Sequence, residues 1–152
     1  IRSLVEEGKN DMALKALEKC ETEIPTYNVP SDPYSGSLEM ATAYLRLGKT
    51  DKAGKIIADL EKRSSEYVDY YLSLSDRNFI TQKDECYTEL VTLGNLISMY
   101  DSASNAEDEN YSCYDEKAKE AIKQKANDIE QRMQGRMHDF INRCQRLGIT
   151  FE

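Results

Sequence analysis

The clearest hydrophobic pattern in the chain lies between residues 38 and 60. Its apolar positions recur at the spacing of an α-helix on both sides of a short polar turn: Leu38, Ala41, Tyr44, Leu45 and Leu47 before it, and Ala53, Ile56, Ile57 and Leu60 after it. In the turn, Gly48 can take the left-handed conformation that ends a helix, and Thr50 can cap the next helix with its hydroxyl. The pattern predicts two antiparallel helices. Neither helix buries its apolar stripe alone, so the hairpin needs similar hairpins beside it.

The same turn occurs 40 residues earlier in the sequence. Residues 8–13 read GKNDMA and residues 48–53 read GKTDKA. In both copies Gly-Lys precedes a capping residue, an Asp in the first helical turn and a small Ala. Leu17 and Cys20 then occupy the places of Ile57 and Leu60. An internal repeat of this kind predicts an all-α fold, a short α-solenoid of antiparallel helix hairpins.

A third, less regular hairpin is predicted between residues 60 and 100. Its first helix, of about three turns, carries the stripe Tyr67, Tyr70, Tyr71 and Leu74. The polar segment SDRN at residues 75–78 breaks that helix. Thr81 and Asp84 then offer a capping pair for a longer helix. Because Tyr44, Tyr67, Tyr70 and Tyr87 fall on apolar stripes, we interpret them as core residues.

The C-terminal part of the chain predicts one long helix. Residues 101–111 are polar and indicate a loop, with Ser104 or Ser112 as the cap of the next helix. That helix runs from Cys113 to about Leu147, about 50 Å, with Gly135 as its weakest position. Its apolar stripe comprises Ile122, Ala126, Ile129, Met133, Met137, Phe140, Cys144 and Leu147. This stripe can lie across the open end of the hairpin stack, or it can form a dimer seam through residues 122–147.

Composition narrows the class of protein. A chain of 152 residues fits one domain, with hairpins over residues 1–104 and the long helix of residues 105–152 packing on them. The net charge of −8 opposes binding to nucleic acid and to anionic lipid. The longest uncharged run, residues 90–100, is too short to cross a bilayer. We therefore expect a monomer without direct membrane insertion. Residues 1–5 are typical of the end of a helix that is truncated at residue 1, so we interpret the chain as a fragment of a longer protein.

Candidate chemistry is sparse. Cys20, Cys86, Cys113 and Cys144 are far apart and no CxxC pair occurs, so no metal site and no cofactor are predicted. Three of the four fall on apolar stripes, which favours buried thiols over disulfides. His138 has no nucleophile placed beside it, and a calcium-loop spacing over residues 105–116 lacks its glycine. The sequence therefore predicts a noncatalytic chain.

Two groups of residues are candidates for binding. The first is in the proline-rich connection of residues 24–36, where rings and polar groups can face a ligand: Tyr27, Asn28, Asp32 and Tyr34. The second lies on the first helix of the second hairpin, which lines the concave face of such a stack: Thr42, Leu45 and Arg46. Arg46 can pair with a carboxylate. The expected ligand is a protein or a peptide.

These motifs carry two family resemblances. The Gly-Lys turn followed by a small Ala resembles the tetratricopeptide repeat, although the period is longer than usual. The succession EEGKNDMALKALEKCETEIPTYNVP, ATAYLRLGKTDKAGKII and EYVDYYLSL resembles the soluble C-terminal region of a family of large bacterial multi-span membrane proteins. In its membrane part that family is similar to protein O-mannosyltransferases.

The second resemblance implies an extracytoplasmic, periplasmic module attached to a membrane body. Its partner would then be a protein or peptide ligand, or the membrane domain of its own parent chain. The alternative that the resemblance implies is a domain presenting glycan or substrate to a glycosyltransferase-like parent, with Tyr27, Asn28, Asp32 and Tyr34 in contact with the sugar.

Overall fold

The protein is described by a computed structural model covering residues 1–23, 36–105 and 107–150. Helices contain 85% of these residues, and no β-strand occurs among them. The α-helices are α1 (Arg2–Glu6), α2 (Asn10–Glu23), α3 (Ser37–Arg46), α4 (Thr50–Ser73), α5 (Asp76–Ser104) and α6 (Glu116–Arg146), with a 3₁₀ helix over Glu109–Tyr111. The predicted all-α class is confirmed. None of the helices in the described ranges has the length and hydropathy needed to cross a membrane.

The two Gly-Lys turns have the same backbone geometry. Gly8 and Gly48 take positive φ angles of 74° and 76°. In each turn the lysine N–H donates to the carbonyl five residues earlier, at 2.8 Å from Lys9 and 2.9 Å from Lys49. This bond satisfies a carbonyl that the end of a helix leaves open, the Schellman pattern. The predicted equivalence of the two turns is confirmed for the backbone.

A small residue follows each turn and lets the paired helices approach. Ala13 and Ala53 are both fully buried. One helical turn further, Leu17 and Ile57 are buried as well. The internal repeat therefore places corresponding side chains in the core.

A polar contact joins the α1–α2 hairpin to the α3–α4 hairpin. The Tyr44 hydroxyl of α3 donates to the Glu21 carboxylate of α2 at 3.0 Å, and the Lys52 ammonium of α4 donates to the same carboxylate at 3.1 Å. The hydrogen bond from Lys52 is the main reason that the pKa of Glu21 is lowered. Tyr44 is 1% exposed, so its hydroxyl has this carboxylate as its partner inside the protein. The contact fixes how the two hairpins meet.

The three longest helices form most of the core. A two-residue connection makes α5 antiparallel to α4, and α6 packs against both of them. Two ion pairs join α4 to α6: Glu61 lies 2.9 Å from Arg132, and Asp69 lies 2.8 Å from Arg136. The later residue of α4 thus pairs with the later residue of α6. Helices α4 and α6 are therefore parallel, and both are antiparallel to α5.

Two predicted boundaries in this region are wrong. Helix α4 continues without a break to Ser73, because residues 61–66 contain no helix breaker and Ser64 is buried. The tyrosine stripe thus belongs to α4 and not to a third hairpin. Helix α5 begins at Asp76, ahead of the predicted cap at Thr81, whose hydroxyl donates to the Arg77 carbonyl within the helix at 3.3 Å.

The C-terminal helix differs from its prediction at its start. The cap is the Asp115 carboxylate, which accepts from the Ala118 N–H at 2.7 Å. Of the predicted caps, Ser104 instead ends α5, and Ser112 directly follows the 3₁₀ helix. The helix passes Gly135 without interruption.

The apolar stripe of α6 packs lengthwise along α5 and α4. Its buried members are Ile122, Ala126, Ile129, Phe140 and Cys144. The stripe that was one candidate for a dimer seam is therefore occupied within the chain.

Three tyrosines predicted as core residues lie on the surface. Tyr44 is buried as predicted, but Tyr67, Tyr70 and Tyr87 are 42%, 58% and 45% exposed. Helix α3 has 10 residues and α4 has 24, so α3 covers only the first part of α4. The α4 tyrosines lie beyond its reach.

Candidate functional site

Of the predicted binding residues, three lie on α3 and four lie outside the described residues. The four are Tyr27, Asn28, Asp32 and Tyr34. On α3, Thr42 is half-buried and its hydroxyl donates to the Leu38 carbonyl at 2.9 Å. Leu45 is fully buried, and its carbonyl accepts from the Tyr114 hydroxyl at 2.5 Å. Leu45 therefore belongs to the core and does not face a ligand.

A cavity lies between α1 and α3, which are the first helices of two successive hairpins. Its volume is about 540 Å³. Thr42 and Arg46 both line it, as the helical spacing of four residues predicts. The remaining lining residues are Ile1, Arg2, Val5, Glu6, Gly36, Leu38, Glu39, Met40 and Ala43. We call this cavity the α1–α3 groove.

The groove has an apolar lining with charged residues on both walls. Apolar side chains come from α1 and from α3, and each helix also contributes one arginine and one glutamate: Arg2 and Glu6, Glu39 and Arg46. Apolar surface with a few polar groups is typical of ligand sites, in which the polar groups fix orientation.

Arg46 is the charged residue of the groove with a partly buried guanidinium. Its Nε is buried and has no hydrogen-bond partner within the described part of the chain. Its guanidinium also faces the hydroxyl of Tyr111, where burial raises the tyrosine pKa and the arginine opposes that rise. A buried donor without a partner is costly to the folded state.

The segment before α6 holds the C-terminal end of α3 in place. The Tyr114 hydroxyl donates to the Leu45 carbonyl, and the Cys113 thiol donates to the Arg46 carbonyl at 3.7 Å. Tyr111 is 4% exposed and packs beside the same end. These contacts fix the backbone of Arg46, so its side chain enters the groove from a rigid position.

The other candidate catalytic and metal-binding residues do not form a cluster. Among the described residues, no group of three or more His, Cys, Asp and Glu side chains is placed to hold a metal ion. His138 is exposed on α6, where its ring contacts the Asn142 amide at 3.2 Å. The four cysteines are free, with Cys86 and Cys144 buried between α5 and α6 and Cys20 half-buried.

Sequence reasoning missed the second wall of the groove. Arg2, Val5 and Glu6 line it from α1, but their short helix has too few residues to show a periodic face. On α3, Glu39 shares the helical face of Thr42 and Arg46 at spacings of three and four, and this spacing was the available signal.

A comparison of the chain with protein families, with characterised proteins and with solved structures finds no match. The function is therefore inferred from the geometry of the groove and from the internal repeat.

Proposed function

We propose that this chain is a noncatalytic protein-interaction module of the tetratricopeptide-like kind, which binds an extended peptide in the α1–α3 groove. The observation that carries the proposal is the position of the groove between the first helices of two hairpins whose turns are geometrically equivalent. Stacked hairpins use this concave side to hold ligands, because each repeat contributes the same face.

The chemistry of the groove specifies the ligand further. Arg46 and Arg2 place one guanidinium on each wall of the groove. An aspartate, a glutamate or a C-terminal carboxylate of the peptide would accept from Arg46, while apolar peptide side chains would cover Val5 and Leu38. We therefore propose an acidic-apolar peptide as the ligand.

The resemblance to multi-span bacterial membrane proteins supports a setting for this module. In that setting the chain is the soluble part of a longer protein on the extracytoplasmic side, and the peptide belongs to a separate protein or to the membrane domain of the parent chain. The glycan-presenting alternative depends on Tyr27, Asn28, Asp32 and Tyr34, which lie outside the described residues, so no observation favours it.

Selection from a random peptide library displayed on phage tests the proposal. The purified chain should enrich peptides that contain Asp or Glu beside apolar residues. Arg46→Gln should weaken their binding because it removes the charge, and Thr42→Arg should block it because it fills the groove.

Thr22→Arg is the matched control. Thr22 lies on α2, which does not line the groove, and its hydroxyl makes the same bond to the carbonyl four residues earlier, at 2.8 Å, as that of Thr42. The proposal is wrong if no peptide is enriched, or if Thr22→Arg and Thr42→Arg reduce binding equally.

A further inference from the structure

The last turns of α4 carry three neighbouring tyrosines on the surface. Tyr70 is 58% exposed, Tyr67 is 42% exposed and Tyr71 is half-buried. The ring centroids of Tyr67 and Tyr71 are 6.3 Å apart in a stacked arrangement, and those of Tyr70 and Tyr71 are 5.4 Å apart edge to face. We call these three residues the tyrosine face. Single exposed rings are ordinary on protein surfaces, but here Tyr71 contacts both Tyr67 and Tyr70, so the three rings form a continuous patch.

Carboxylates of α5 border the tyrosine face. Glu85 lies one helical turn before Glu89 on α5, and both carboxylates add to the rise in the pKa of Tyr71, which burial causes first. Glu89 is also 3.8 Å from Arg63. Arg63 therefore offsets Glu89, and the exposed Glu85 is the carboxylate that can match an added cation, in a chain whose net charge is −8.

The tyrosine face already holds one cation from its own chain. The guanidinium of Arg63 lies over the ring of Tyr67, 4.9 Å from the centroid. Tyr70 is the most exposed of the three rings, and within the described ranges no cation lies over it. The face of an aromatic ring attracts cations, arginine above all, and nearby carboxylates strengthen that attraction.

We propose that the tyrosine face is a second docking surface, which takes an arginine-containing basic segment of a partner protein. An arginine of the partner rests on Tyr70 as Arg63 rests on Tyr67, and its charge is matched by Glu85. The acidic chain as a whole speeds the encounter with such a segment. This surface lies on α4 and α5, whereas the groove lies between α1 and α3, so the two bind independently.

Titration with a labelled Arg-Gly repeat peptide, followed by fluorescence anisotropy at low and at physiological salt, tests this proposal. Tyr70→Phe should keep the affinity because phenylalanine retains the ring. Tyr70→Leu should weaken binding by about threefold, the typical effect of one exposed cation–ring contact. The double variant Tyr67→Leu/Tyr70→Leu should bind more weakly still.

Matched controls separate this surface from general attraction between opposite charges. Tyr87→Leu removes a tyrosine of similar exposure, 45%, which stacks on Phe140 of α6 and lies away from the tyrosine face. Glu120→Gln removes an exposed carboxylate of α6 and is compared with Glu85→Gln. Circular dichroism confirms that each variant is folded before binding is measured.

The expected result is that Tyr70→Leu and Glu85→Gln weaken binding while Tyr87→Leu and Glu120→Gln do not. Equal effects of the two tyrosine variants, or no binding by the wild type, would overturn the proposal. A parallel titration with a glucose hexasaccharide covers the other class of ligand for exposed rings. Sugar binding that Tyr70→Leu abolishes, without peptide binding, would reassign the surface to glycans and refute the basic partner.

Discussion

Arg143 of α6 clamps the connection between α4 and α5. Its guanidinium donates to the Leu72 carbonyl at 2.6 Å and to the Leu74 carbonyl, both at the end of α4. The same group lies over the ring of Phe79, 4.4 Å from its centroid, and bonds to Asp76 at 3.1 Å. The Arg143 side chain is 15% exposed. Its replacement by alanine therefore removes several contacts of a largely buried side chain.

These contacts set the cost of Arg143→Ala. A hydrogen bond from a charged donor contributes about 1.5–3 kcal/mol, and a guanidinium over a ring contributes about 0.5–1 kcal/mol. Leu72 and Leu74 are half-buried, so water can bond to their carbonyls once the guanidinium is removed. The lower end of the hydrogen-bond range therefore applies to these two bonds. The two carbonyl bonds, at about 1.5 kcal/mol each, account for most of the expected loss, because the contact with the exposed Asp76 contributes little. We expect the free energy of unfolding to fall by about 3 kcal/mol.

Urea unfolding followed by helical circular dichroism measures this loss. With a slope of about 2 kcal/mol per molar urea, the midpoint should fall by about 1.5 M. Arg132→Ala is the control, because Arg132 also pairs with α4, through Glu61, but is 56% exposed. An exposed pair contributes at most about 1 kcal/mol, so the control should move the midpoint by less than about 0.5 M. Equal shifts for the two variants would refute the clamp.

Single groups carry three further predictions. Hydrogen bonds from Arg146 and Arg143 lower the pKa of Asp76 to about 2 from 3.8. The ionised carboxylate therefore stabilises the fold fully above its ordinary pKa of 3.8, and this stabilisation is lost as the pH falls through about 2. The difference in urea midpoint between wild type and Asp76→Asn should shrink from pH 4 to pH 2, and a constant difference would contradict this. Gly8→Ala and Gly48→Ala should each lower the free energy of unfolding by about 1 kcal/mol, because φ is positive at both glycines. Gly135→Ala should raise it by about 0.5–1 kcal/mol, because Gly135 lies within α6 with open space beside it. Thermal unfolding measures all three variants. Burial raises the pKa of the Cys86 thiol to about 12, so iodoacetamide should label exposed Cys113 in the folded protein and Cys86 only after unfolding, as mass spectrometry will show.

Local turn chemistry is the part of the fold that the sequence predicts best. The Gly-Lys turns need a residue that tolerates positive φ, and Gly8 and Gly48 supply that signal themselves. The predicted hydroxyl cap at Thr50 is wrong, because Thr50 is the first residue of α4 and the N-cap, Lys49, makes no side-chain cap bond. The long amphipathic stripe of α6 is equally local, because its period is repeated over many turns. Such features do not depend on where the rest of the chain folds.

The SDRN segment predicts the end of the tyrosine helix, and α4 does end at Ser73, but the start of α5 depends on a distant residue. Ser75, Asp76 and Thr81 are all suitable near the start of a helix, so sequence alone does not choose among them. The structure fixes the boundary through Arg143, which bonds to the end of α4 and to Asp76 from about 70 positions away. A contact at that separation leaves no local pattern from which to predict it.

The candidate site shows the same division. Thr42 and Arg46 share one face of α3, and helical spacing alone assigns both to the groove. Leu45 is one position from Arg46, a rotation of about 100° around the helix, which turns it into the core. The wall that α1 supplies depends on how two hairpins meet, through Tyr44 and Glu21, and no short pattern encodes that contact.

The length of α3 connects the two proposed surfaces. Gly36, with a φ of 86°, marks the start of α3, which then spans about 15 Å against about 36 Å for α4. Paired from the turn at Gly48, α3 forms one wall of the groove with Arg46 and leaves Tyr67 and Tyr70 uncovered. Because the groove offers a guanidinium and the tyrosine face offers rings beside carboxylates, their ligands carry opposite charge. Arg46→Gln should therefore leave binding of the Arg-Gly peptide intact, and a shared loss would mean that the two surfaces are not separate sites.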